Sequence, residues 1–194
     1  MSKSTLQAPT RPRYDAFSRL LHWATAIAVA IAFVLGPEHF GRLLRDGVDP
    51  ASQTDIVWHE SLGVLVFALT VLRLVWAALR PATPKIAMAA WMRTASKSTH
   101  GVLWALLLLV PVTAVFALGS EAQPLTLIGN VRFADFSSMA QWTIAKIADW
   151  GDVHKLLADA LVSVAGLHAA GAIYHSLVLK DGVLASMLPI KGVR

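Results

Sequence analysis

Four long apolar runs separated by polar connectors set the pattern of the chain, at residues 17–36, 56–79, 99–118 and 153–179. Each is close to the roughly 20 residues that a helix needs to cross the hydrocarbon core of a bilayer. The second run is interrupted only by His59, Glu60 and Arg73, and it stops at Arg80, because the residue before Pro81 is pushed away from helical geometry. The third opens near His100 and contains Pro111, a kink that membrane helices tolerate. The fourth carries His154, His168 and His175, spaced by 14 and 7 residues, offsets that return to nearly one face of a helix. Imidazoles along so apolar a segment are costly unless each ring has a partner.

The connectors are polar. Residues 1–16 form a basic, proline-containing tail, and residues 37–55 a loop rich in Gly, Pro and Asp. Residues 80–98 are a basic connector, and residues 119–152 hold a predicted short amphipathic helix over 138–150, whose Trp142 and Trp150 suit a membrane interface. A basic tail follows the fourth run. A cleaved signal peptide does not fit the first run, which is long for one, contains Arg19 and His22, and lacks a small-residue cleavage site. Residues 17–180 are therefore expected to form one all-α integral membrane four-helix bundle between two short tails, 1–16 and 181–194.

Composition narrows the chemistry. The chain is 56 % hydrophobic and 15 % charged, with a mean hydropathy of +0.57. It has no cysteine, which excludes disulfides, thiolate-bound iron–sulfur clusters and c-type haem attachment, and leaves histidine, carboxylate or methionine to hold any metal. The net charge of +5 follows from basic residues flanking the apolar runs, and no basic patch interleaved with aromatics points to nucleic acid. Four crossings put both termini on one side. Twelve of the 17 Lys and Arg residues fall on that side, so the termini and the 80–98 connector are expected to be cytoplasmic.

Depth sorts the histidines into two levels. His59 and His154 lie at the outer ends of their runs, while His22 lies at an inner level with His168 or His175. Two bis-histidine sites, each suited to the flat macrocycle of a haem b between helices, is the economical reading. From His154, 14 residues correspond to about 21 Å and 21 residues to about 31 Å, the full hydrocarbon thickness. The shorter spacing leaves a gap that an electron can tunnel, which favours His168, although depth alone leaves His175 in competition. Small residues around His168 would admit a porphyrin close to the backbone.

Other residues are weaker signals. His175 and His100, both on the inner side, are candidates for contact with a quinone or a haem propionate. Arg19 and Arg73 are candidate propionate partners or snorkelling helix-end cations. His39 is expected to be solvated. Lys155, Arg42, Arg45 and Arg132 could steer an anion to the outer face, but eight outer Asp and Glu residues oppose them. No phosphate-binding loop, zinc-protease motif or nucleophile elbow is present.

The motifs RLLHW at 19–23, WHESLG at 58–63, VLRL at 71–74, HGVLWALLLLVPV at 100–112 and the fourth-run pattern H-x13-H-x6-H with GLHAAGAIYH resemble the bacterial cytochrome b561 family. The resemblance covers nearly the whole chain. It implies two haem b groups in the bacterial inner membrane, with His22 and His168 ligating the inner iron and His59 and His154 the outer one. It further implies electron exchange with ubiquinone and, for some members, oxidation of superoxide, which would make the chain a superoxide:ubiquinone oxidoreductase. Related cytochrome b subunits anchor hydrogenases, or work with c-type cytochromes, and usually carry a fifth helix. An anchor subunit is thus the second reading, and a non-haem metal or proton transporter the third.

Overall fold

The structure, a computed structural model, describes residues 13–37, 39–80 and 88–188. In chain order its elements are α1 (Ala16–Val34), α2 (Phe40–Arg45), α3 (Thr54–Leu79), α4 (Ala90–Ser120), the strands β1 (Pro124–Leu127) and β2 (Val131–Asp135), α5 (Trp150–Tyr174) and α6 (Val183–Met187). One π turn, His175–Leu179, prolongs α5. Four of these helices are long and apolar enough to cross a membrane.

Helix starts follow local chemistry. Asp15 caps α1 by accepting from the Ser18 backbone N–H at 2.8 Å and from Ser18 Oγ at 2.6 Å. Partial burial works to raise the Asp15 carboxyl, but its hydrogen bonds from Ser18 and Trp76 outweigh that and hold it below the usual carboxylate range. Asp149 caps α5 in the same way through the Asp152 N–H, at 3.0 Å.

In the bundle α1 lies along α3 and α4 along α5, with α3 against α4 joining the pairs. The packed centre is Ala28, Val66, Leu106, Leu107 and Leu161. Leu161, at 5 % exposure, is seven residues from both His154 and His168 and so occupies their face midway between them. The outer faces stay apolar. Leu20, Ile27 and Val34 on α1, and Trp58, Leu65, Leu72 and Leu79 on α3, recur every seven residues and are all exposed, as helix faces turned to lipid should be.

Several connectors differ from expectation. Helix α4 begins at Ala90, well before residue 99, because residues 90–98 contain no Gly or Pro and continue the helix. The loop at 37–55 contains α2 and a 3-10 turn, Pro50–Ser52. No amphipathic α-helix covers 138–150. Two 3-10 turns, Ser137–Gln141 and Thr143–Lys146, stand there instead, separated by extended backbone at Trp142. Tertiary contacts decide the path instead: Met139 docks against Gly119, and the Asp149 cap starts α5 at Trp150, inside the expected span. The preceding segment forms an antiparallel hairpin, with Gly129 (φ 85°) and Asn130 (φ 58°) supplying the left-handed tip. Met139 is fixed against α4: a Cβ on Gly119 would lie 2.8 Å from Met139 Cβ. Gly119→Ala should therefore lower stability by about 1–3 kcal/mol, read as an earlier loss of helical circular dichroism on heating.

The described part of the C-terminal tail is folded rather than free. Lys180 (φ 52°) and Gly182 (φ 83°) reverse the chain, and α6 returns to the start of α1. There the carbonyls of Ser186, Met187 and Leu188 accept from the Tyr14 N–H (3.2 Å), Trp23 Nε1 (2.9 Å), and Arg19 Nη1 (2.9 Å) with Arg13 Nη2 (2.7 Å). Asp181 holds the reversal, accepting from His175 Nδ1 at 2.5 Å and the Val183 N–H at 3.1 Å. Burial acts to raise the Asp181 carboxyl, and these hydrogen bonds more than offset it, so its pKa is lowered. A lowered folded pKa means that its stabilisation is complete above the ordinary carboxylate value of about 4 and is lost as pH falls through the lower folded value. Asp181→Asn should weaken the return by about 1–2 kcal/mol at neutral pH, seen as faster proteolysis of the C-terminal segment, and the difference from wild type should vanish in acid.

Candidate functional site

The histidines meet in pairs at two levels of the bundle. At the end that carries the termini, His22 of α1 faces His168 of α5 with ring centres 6.4 Å apart. At the far end, His59 of α3 faces His154 of α5 at 6.0 Å. The levels are 14 residues apart on α5, about 21 Å at helical rise.

Backbone carbonyls orient the far pair. Helix α1 ends in carbonyls that no later turn can satisfy. One of them, on Ala32, accepts from His59 Nδ1 at 2.8 Å. Across the bundle the Val110 carbonyl, next to Pro111, accepts from His154 Nδ1 at 3.0 Å. Both rings therefore carry their proton on Nδ1, which leaves the Nε2 lone pair free to bind a metal. Sequence reasoning missed these carbonyls, because a main-chain acceptor has no residue signature.

The termini-end pair has company. His100 of α4 lies 5.0 Å from the His168 ring, and its Nδ1 donates to the Ser96 carbonyl at 2.6 Å. The Arg73 guanidinium lies over the Trp104 ring at 4.8 Å and within electrostatic reach of His22 and His168. Among the described residues no carboxylate pairs with Arg73. Arg19 is engaged through Nη1 by the Leu188 carbonyl, while its buried Nε has no partner among the described residues. His175 stands apart from the pair, held by Asp181.

Some of the far-end charges are matched, while Arg42 and Arg45 form no ion pair among the described residues. His39 Nε2 is 3.5 Å from an Asp55 carboxylate oxygen, so its surroundings are less simply solvated than expected. Lys155 pairs with Asp159 and Arg132 with Asp49, both in the open, which weakens any attraction of an anion to that face.

These donors fit a haem. Two imidazoles bonded to one iron at about 2 Å on each side have ring centres roughly 6 Å apart, as both pairs do. The 5.0 Å between His100 and His168 is too short for that. Each level presents two facing imidazoles, and among the described residues no group of three or more His, Cys, Asp or Glu is arranged to hold a metal ion. Such a donor set suits an iron whose other ligands come from a porphyrin. Space is also available. Gly63, four residues from His59, and Gly171, three from His168, lie on the histidine faces of their helices, and a Cβ on either would meet no atom within 4 Å.

Comparison with known proteins agrees with this arrangement. Residues 13–189 match the family described as prokaryotic cytochrome b561. Cytochrome b561 homolog 2 of Escherichia coli (strain K12) is 26 % identical over 185 residues, covering 92 % of this chain and 93 % of that protein. Cytochrome b562 of Cereibacter sphaeroides is 27 % identical over 184 residues, covering 91 % and 96 %. With four apolar helices of membrane-spanning length and a family match that spans all of them, the chain belongs to the prokaryotic cytochrome b561 family and is a multi-pass membrane cytochrome of the haem b class.

Proposed function

We propose that this cytochrome holds two b haems, the first ligated by His22 and His168 and the second by His59 and His154, and that it couples oxidation of a donor at the far end to reduction of ubiquinone at the termini end. The observation that carries the reading is the facing of two imidazoles at each of two levels, at ring separations that admit one iron. Bound haem supplies a one-electron iron couple in an apolar setting.

The chain's own residues do the rest. The Ala32 and Val110 carbonyls keep His59 and His154 in the tautomer that presents Nε2. The packed layer around Leu161 excludes water between the levels. Arg73, together with Arg19 Nε, offers positive charge to propionates at the termini end. His175, with a proton held between its Nδ1 and Asp181, and His100, held by the Ser96 carbonyl, are the groups placed to pass protons to quinone oxygens.

Superoxide is the proposed donor. Two superoxide anions, one quinone and two protons give two dioxygen molecules and one quinol, so each donor loses one electron and the protons enter at the quinone. The excess of basic residues at the termini end supports a cytoplasmic termini end, with the donor outside the inner membrane. The test is quinol formation in proteoliposomes loaded with ubiquinone and supplied with external superoxide. Quinol should accumulate at two superoxide per quinol with wild type and not with His59→Ala. If the haem-loaded wild type forms none, superoxide is not the donor, and a co-purifying redox protein that reduces the haems would make the chain a membrane anchor.

A further inference from the structure

We propose that the β1–β2 hairpin is seated in the membrane interface at the far end, with its tip and outer residues against lipid. Helix α3, with 26 residues, is about 39 Å long and exceeds the roughly 30 Å hydrocarbon core. With Arg80 at the polar boundary of the termini end, the opposite boundary falls about 20 residues back along the helix, at Glu60. The hairpin hangs from that level. The Thr126 N–H donates to Glu60 Oε2 at 2.6 Å, and the Ile128 N–H donates to Ser61 Oγ at 2.9 Å. From there Ile128, Gly129 and Asn130 at the tip share a cleft with Ala51, Ser52 and Thr54 at the start of α3, so the hairpin spans from the hydrocarbon boundary at Glu60 outward to the headgroup level.

Main-chain donors at that depth have little water to bind and need partners from the protein, which Glu60 and Ser61 supply. The hairpin leaves three large apolar side chains open, Ile128, Val131 and Phe133 at 50, 55 and 62 % exposure, beside exposed Asn130, Arg132 and Asp135, the mixed character of an interfacial surface. Ile128 and Trp58 flank one cleft of about 230 Å³, whose outer wall is the polar Ser52, Thr54 and Asn130. Trp58 in turn heads the exposed stripe through Leu65, Leu72 and Leu79. The apolar face of the hairpin is thus continuous with a lipid-facing stripe, and a tryptophan stands at the junction, where amphipathic rings favour the headgroup level. Arg132, between Val131 and Phe133, is exposed and paired with Asp49, so its charge can stay at the polar side. A bilayer is the occupant that this continuity requires.

The chain has no cysteine, so a single introduced thiol labels one site. Ile128→Cys and Phe133→Cys, each in the full haem-loaded chain, would carry an environment-sensitive fluorophore in phosphatidylcholine nanodiscs. Leu65→Cys serves as the lipid reference and Asp46→Cys, on an exposed loop residue, as the aqueous one. Both hairpin probes should shift to the blue, be quenched by phosphatidylcholine carrying a spin label near its headgroup, and be shielded from iodide relative to the Asp46 probe. Quenching by iodide without quenching by the lipid label would overturn the proposal in favour of a water-exposed lobe. Shielding from both quenchers would overturn it in favour of a protein partner.

Discussion

His168→Ala should purify with one b haem in place of two, whereas His175→Ala should retain both. The two residues are seven apart, His168 on α5 and His175 at the start of the π turn that prolongs it, so the experiment separates candidates that periodicity alone leaves equal. His168 faces His22 at 6.4 Å, with room for one iron, while the His175 imidazole is occupied by Asp181. On the proposed assignment the substitution would remove one of the two imidazoles that would hold the iron, and it would leave a ring-sized void beside His22. His22→Ala should lose the same haem. The double variant of His22 and His168 should lose no more than either single one, because on the proposed assignment both would serve one iron. A pyridine haemochrome count per chain, with reduced-minus-oxidised spectra, reads all four proteins. Haem lost from His175→Ala and kept by His168→Ala would move the ligand two turns toward the end of α5.

Replacing Arg73 with glutamine should lower the midpoint potential of the termini-end haem while leaving the far one in place. Reduction adds negative charge to the site, and a nearby cation favours that state. Arg73 lies over Trp104 and interacts with both His22 and His168, and among the described residues no carboxylate pairs with it to cancel its charge. At an effective dielectric near 20, a unit charge on the order of 10 Å from a one-electron couple is worth roughly 1.7 kcal/mol, a shift of several tens of millivolts. A redox titration in the membrane measures it. The proposed far haem, whose ligand His154 lies 14 residues (about 21 Å at helical rise) from His168 on α5, would be the internal control. An unchanged titration would show that the guanidinium is neutralised by something other than the haem it adjoins.

Much of this fold is written in residue types. Runs of apolar residues broken by Arg80-Pro81 and by the 37–55 loop specify four long helices, because each must satisfy its own backbone in lipid. The H-x13-H spacing on α5 specifies two levels, because helical periodicity carries His154 and His168 to one face. What stayed hidden depends on contacts distant in the chain. Asp181 reads as one residue of a basic tail until the backbone reverses at Lys180 and Gly182 and brings it to His175. The hairpin has a modest Gly-Asn signal at 129–130, yet its seat is made by Glu60 and Ser61, more than sixty residues earlier. The carbonyls of Ala32 and Val110 carry no side-chain signature, and His100 joins His168 only when α4 packs on α5. Arg19 illustrates the converse. Its charge and position were legible, but its bond to the Leu188 carbonyl depends on the returning C-terminal segment.

The most direct test of the central claim is the haem stoichiometry of the purified wild-type chain, from a pyridine haemochrome assay against quantitative amino-acid analysis. Two b haems per chain, titrating as two one-electron steps, is the expected result. One haem per chain, or none, would contradict the assignment of His22 with His168 and His59 with His154 as two separate axial pairs.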